Sequence, residues 1–160
     1  MVLSTESANI SLSGSWTNSD QLKNITIEDL IPHRGMMLLI EEILELNHSH
    51  AVTAAVTNTS WPLAGDNGIQ PLILVELAAQ TAGVCNGWDR IITQGMDSEK
   101  KGWLVGVKQA EFLIPTIPFN SRIITRSENS HNYEQLREIN STQHIDNTII
   151  GKITLQLIQA

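Results

Sequence analysis

A single carboxylate, Glu76, is the only charge in the long apolar run Leu72–Val84. Burying an ionised carboxyl is costly unless it is paired or put to work. A carboxyl among apolar groups holds its proton more tightly, which suits a general acid. Gln80 follows one helical turn later and would share its face. The competing reading is a structural glutamate held by Gln80 or by a partner strand. A base to match the acid is harder to find. His33 is the best candidate, because an imidazole can take a proton near neutrality; against that stands a histidine that merely hydrogen-bonds the first helical turn. His48 and His50 flank a turn, while His131 and His144 fall near late turns, and all four read as solvated. Asp66 and Asn67 could position a water or a substrate, yet Asp-Asn-Gly is also ordinary turn chemistry. No pair of histidines has metal-ligand spacing, so no metal or cofactor is expected.

Those residues must be held by the elements around them. Pro71 to about Ile92 is apolar on nearly every side, which reads as a buried helix of about 22 residues and roughly 33 Å. Pro71 suits its first turn and puts Glu76 about a turn and a half in. Thr26 can cap a short helix, with Glu28 and Asp29 in its first turn, and Pro32 stops it. Met36–Leu46 is a strand-like apolar segment, although its periodicity also permits helix. His50–Thr57 alternates as a strand, with Asn47-His48-Ser49 as the turn before it. After the helix, Trp103–Phe112, Arg122–Ser127, Tyr133–Ile139 and Thr148–Ile158 read as strands. One helix cannot cover both faces of a parallel sheet, so a doubly wound order is excluded. An antiparallel sheet wrapped around one long buried helix satisfies the burial demands. Such a sheet has two edges, which commonly pair into dimers.

Length and composition fit one domain. Residues 1–24, rich in Ser, Asn and Thr, read as a flexible arm, and 25–160 as the folded domain. Hydrophobic residues make up 41% and charged residues 17%, as in ordinary globular chains. A formal charge of −7 argues against a nucleic-acid partner, whose phosphates need clustered Lys and Arg. No basic leader or membrane-length apolar run is present, so a cytoplasmic protein with no membrane partner is expected. The lone Cys85 builds neither a disulfide nor a cysteine zinc site and reads as a small core residue.

Three segments, in order, resemble the hotdog-fold 3-hydroxyacyl-carrier-protein dehydratases. Ile31-Pro32-His33-Arg34-Gly35 and the residues to Ile43 resemble the family's Leu-Pro-His-Arg segment. Leu74-Val75-Glu76-Leu77-Ala78-Ala79-Gln80 and the following residues to Gly83 resemble its helix motif, Glu-Ala-Met-Ala-Gln then Gly. Gly106 to Phe112, then Pro115 and Pro118, match its Gly, Phe and two prolines. The resemblance covers about Ile27 to Ile158 and looks closest to a divergent branch associated with aryl-polyene clusters. It implies an α+β hotdog fold and an acyl-thioester site with Glu76 catalytic and Gln80 and Gly106 at the substrate; His33, whose family counterpart is not the catalytic histidine, is the candidate catalytic base to match Glu76, and Asp66 and Asn67 are candidate substrate contacts from the residues themselves. It also implies an acyl-carrier-protein or coenzyme A thioester partner and a homodimer or higher oligomer. Arg34, Lys100, Lys101 and Lys108 are the candidates for meeting an acidic carrier.

This chain departs from that family in the loop before the helix. The family's base is a histidine in a Gly-His-Phe-Pro segment, whereas Leu63–Pro71 here has no histidine and is shorter. Pro71 also stands where the family has a glycine near the oxyanion site, and proline has no N–H to donate. Three functions follow as expectations: a dehydratase with a rearranged base, a thioesterase in which Glu76 or Asp66 activates water, and a non-catalytic acyl-binding subunit that pairs with an active homologue.

Overall fold

In the computed structural model, which describes residues 24–99 and 102–159, Thr26 caps a one-turn helix, α1 (Ile27–Leu30). Its hydroxyl accepts from the Asp29 amide, and the Asp29 carboxylate accepts from the Thr26 amide. That reciprocal box satisfies two orphan donors. The arm expected over residues 1–24 lies, except for Asn24, outside the described residues.

The chain then runs through β1 (Glu42–Leu46), β2 (His50–Val56), the long helix α2 (Ile73–Gln94), β3 (Gly102–Phe112), β4 (Arg122–Tyr133), β5 (Leu136–Ile145) and β6 (Thr148–Gln159). The six strands form one antiparallel sheet in the order β1-β2-β4-β5-β6-β3. The helix packs on one face of it, which is the hotdog arrangement. Leu74, Leu77 and Ala78 meet Ile123, Ile139, Ile153 and Leu155 in the main core. A second cluster joins α1, β1 and the later helix through Leu30, Ile43, Val84 and Ile91. Cys85 belongs to it, and burial pushes its thiol up to about 12.

Several expected boundaries move, each for a local reason. Met36–Leu46 is not one strand. Gly35–Met37 forms a 3₁₀ turn, with Gly35 at φ 59°, and pairing starts only at Glu42. The intervening backbone is bound to the helix instead: the Leu39 amide donates to Gln80 Oε1 at 3.0 Å, and Gln80 Nε2 donates to the Met37 carbonyl at 2.7 Å. The helix starts at Ile73, so Glu76 falls within its first turn rather than half a turn further on. β4 runs on to Tyr133 and turns at Glu134, whose φ is 52°, so the next strand is Leu136–Ile145. His131 and His144 lie near the ends of these strands, close to the turns that follow, as expected. Nor is the helix buried all round: Leu72 flanking its start and Ile92 near its end are exposed, and Val75, Glu76 and Ala79 are only partly covered.

Between helix and sheet runs a seam of buried hydroxyls and amides. Ser127 Oγ donates to the Ala78 carbonyl at 3.0 Å, and Gln143 Nε2 donates to the Leu74 carbonyl at 3.2 Å. Ser127 also bonds Ser141, and Thr53 bonds Thr81 at 2.8 Å. These groups are nearly fully buried, so each needs its partner.

Candidate active site

The segment after α1 is extended by Pro32 and passes over the start of α2. This brings His33 Nε2 to 3.1 Å from Glu76 Oε1. The side chains are 30% and 33% exposed, so the pair is open on one side. Gln80 Nε2 donates to the same Glu76 oxygen at 2.9 Å. Gln80 is itself 0% exposed and committed to Met37, Leu39 and Glu76. It positions the carboxylate and has no surface to offer a ligand.

The charge state of Glu76 differs from the sequence expectation. The hydrogen bond from His33 outweighs desolvation, and Gln80 adds to it, so the carboxyl is held below its ordinary range. Its place in the first turn of α2 also favours the anion. Glu76 is thus an ionised acceptor, not a protonated acid. In the tautomer that meets the carboxylate, the His33 ring carries its proton on Nε2. The other ring nitrogen, Nδ1, is shielded from solvent and has no hydrogen-bond partner among the described residues.

Both groups line a cleft of about 190 Å³ that follows the open face of α2. The cleft passes over Ala79 and Gly83 to Asn86, Gly87 and Arg90, between Leu30–His33 on one side and the ends of β3 and β6 on the other. Gly87 lets the two walls meet, since a Cβ there would run into the Leu30 carbonyl oxygen. At the far end Arg137 donates to Asn86 at 2.7 Å and to Asp89 at 3.3 Å. Sequence reasoning missed Asn86, Arg90 and Arg137. The signal was the helical spacing of Glu76, Ala79, Gly83, Asn86 and Arg90, which places them on one face.

The other expected site residues do not converge here. Asp66 and Asn67 sit exposed on a turn closed by the Gly65 amide and the Gly68 carbonyl, and do not line the cleft. Gly106 sits at a bulge in β3 against Gln156, also outside the lining. Arg34 donates to the carbonyls of Glu28, Ile31 and His33, holding the turn after α1. Lys108 pairs with Glu138 at 2.9 Å. Lys100 and Lys101 lie outside the described residues. The helix start offers few donors to an oxyanion, because the amides of Ile73, Leu74 and Val75 already donate to Gln70, Pro71 and Leu72.

The fold, six antiparallel strands with one long helix on their face, defines a hotdog protein. A family model described as ApeP dehydratase (ApeP-like) matches residues 25–160, and the chain belongs to that family. Solved structures agree on the fold. The dehydratase heterocomplex ApeI:P from Xenorhabdus doucetiae is 17% identical, with 85% of this chain and 91% of that chain covered and a TM-score of 0.74. The PaaI protein of the E. coli phenylacetic acid degradation operon is 13% identical, covering 73% and 81%, with a TM-score of 0.57. A hypothetical thioesterase from Streptococcus pneumoniae TIGR4, solved with coenzyme A, is 15% identical, covering 73% and 83%, with a TM-score of 0.56. At these identities the likeness speaks for the fold. Among the described residues no helix is long and apolar enough to cross a membrane.

Proposed function

We propose that the chain dehydrates a 3-hydroxyacyl thioester, with His33 as the proton-transfer group and Glu76 as the carboxylate that orients it. The observation that carries this reading is the 3.1 Å contact between His33 Nε2 and Glu76 Oε1. Glu76 accepts from Nε2 and leaves Nδ1 with a free lone pair. Nδ1 is covered in this structure, so the bound substrate must displace what covers it before Nδ1 takes the proton from the carbon next to the thioester carbonyl. The electrons form the new carbon–carbon double bond as the bond from carbon 3 to the hydroxyl breaks. The same Nδ1–H then protonates the departing hydroxyl, releasing water and restoring neutral His33. Glu76 stabilises the transient imidazolium throughout. One imidazole that moves both protons does not need the histidine absent from Leu63–Pro71.

The test is incubation with 3-hydroxyacyl thioesters on coenzyme A and on a carrier protein, followed by enoyl absorbance. Turnover that disappears in His33→Gln supports the reading; a folded chain that turns over no chain length on either carrier refutes it.

A second reading has its own support. Among the described residues β3 ends the sheet with an unpaired edge, and Leu104, Val105, Val107 and Phe112 along it are exposed. Such an edge calls for a partner. A second copy gives a homodimer, and a different dehydratase chain gives a heteromer like the similar complex from Xenorhabdus. In that case this chain works as an acyl-binding subunit, and turnover appears only on mixing the two.

A further inference from the structure

The cleft carries two separate polar ends. Near the start of α2 lie His33 and Glu76; near its C-terminus lie Asn86, Arg90 and Arg137. The ten residues from Glu76 to Asn86 correspond to about 15 Å of helix. Between the two ends the lining is Ile31, Ala79, Gly83, Leu104, Leu157 and Ile158, with no polar side chain among them. That stretch suits a hydrocarbon chain. A pantetheine arm would leave its amides without side-chain partners there.

The far end is cationic. Arg137 is paired with Asp89. Arg90 is only 7% exposed, and its donors go to Ser98 Oγ at 2.9 Å and the Asp29 carbonyl at 3.2 Å. Among the described residues no carboxylate lies within ion-pair distance of Arg90. Among the described residues, the two guanidinium groups at the end of this apolar groove share one ion pair, Arg137 with Asp89. Desolvation makes a cation without a counter-ion costly at such a place, and it lowers the affinity of Arg90 for its proton. A guanidinium has five N–H donors, so neither arginine is saturated.

We propose that Arg90 and Arg137 form a terminus-reading end that selects long acyl chains ending in an anionic oxygen, a carboxylate first of all, over chains ending in methyl. The inference rests on the acyl-thioester reading of the His33–Glu76 end. It adds a length, set by the spacing of the two ends along α2, and a chemical preference at the distal atom. Arg90 and Arg137 bind the chain terminus and take no part in proton transfer.

The experiment is calorimetric titration of the whole chain with non-hydrolysable thioether analogues of acyl-pantetheine, which carry no phosphate. One series ends in methyl and one in carboxylate, matched in length at roughly a dozen carbons to fit the span. The carboxylate-ended analogue is expected to bind wild type about tenfold or more tightly than its methyl partner, the range of one charged hydrogen bond. That gap is expected to close in Arg90→Gln and in Arg137→Gln. The wild-type comparison needs no variant, so a misfolded Arg90→Gln does not blunt the test. Equal binding of the two analogues overturns the proposal while leaving the thioester reading standing. Binding of neither overturns both. An arginine-dependent gain seen only when a phosphate is added to the pantetheine assigns this end to the carrier arm, and overturns the assignment to the chain terminus.

Discussion

The side-chain amide of Gln80 holds the Glu76 carboxylate from 2.9 Å while lying wholly inside the protein. One buried glutamine thereby couples the stability of the segment before β1 to the orientation of the candidate active carboxylate. Gln80→Leu removes both partners of that segment, the acceptor for the Leu39 amide and the donor to the Met37 carbonyl. The expected cost is about 1–3 kcal/mol, since the buried Leu39 amide is left unpaired. Urea denaturation checks it, and an unchanged midpoint would mean the segment finds other partners.

Glu76→Gln separates charge from shape. Glutamine keeps an acceptor for His33 but cannot stabilise an imidazolium. Turnover is expected to fall by about a hundredfold or more, with His33→Gln falling further. Initial rates on one thioester decide the order; a larger loss for Glu76→Gln would return the acid role to the carboxyl.

The lowered affinity of Glu76 for its proton has a stability consequence with a definite sign. A carboxyl depressed in the folded state contributes stability that is fully present above its ordinary value of 4.5 and is lost as pH falls through the lowered one. Wild type is therefore expected to lose its advantage over Glu76→Gln as the medium is acidified below that value. The effect is small, because the carboxyl is a third exposed and screened. Paired melting curves at neutral and acid pH measure it, and a difference that grows on acidification contradicts it.

Gly87→Ala places a methyl against the Leu30 carbonyl oxygen, a backbone atom that cannot swing aside. Either α1 moves away from α2 or the protein is strained, at a cost of about 1–3 kcal/mol. The melting temperature should fall, and binding in the cleft should weaken with it because Leu30 and Ile31 form its wall. Retained stability with retained binding would show that the two elements have slack.

Val105→Lys puts a charge on the exposed row of β3. Charged edges resist pairing. Sedimentation should show an oligomer for wild type and a monomer for the variant, with unchanged secondary structure by circular dichroism. An oligomer that survives the substitution locates the interface elsewhere.

Much of the fold was legible because burial imposes period and order. The helix from Pro71 and the alternation of Thr148–Ile158 needed only side-chain polarity to be read. The segment Met36–Leu46 misled because its apolar residues serve two masters. Met37 and Leu39 lend their backbone to Gln80, and strand pairing begins only at Glu42. At the site, Glu76 was visible as a lone charge, whereas its proton affinity depended on His33, a contact between residues far apart in sequence. Arg90 escaped notice because an arginine near a helix end is usually a surface charge, and Arg137 because it reads as one polar residue of a strand. Only the packing of α1 over α2 encloses Arg90.

The buried seam beneath the helix acts like a key in a lock. An apolar helix on an apolar sheet has alternative seatings one turn apart, and a slip of about 5.4 Å would carry Glu76 out of reach of His33. The carbonyls of Ala78 and Leu74, which accept from Ser127 and Gln143, stand one turn apart, but the hydroxyl bond between Thr53 and Thr81 can be made in only one seating. Replacing those polar groups by well-packed aliphatic ones could leave the fold as stable as before. The resulting protein would then be free to lose its alignment, keeping every residue of the site while spending part of its time with the two halves out of step.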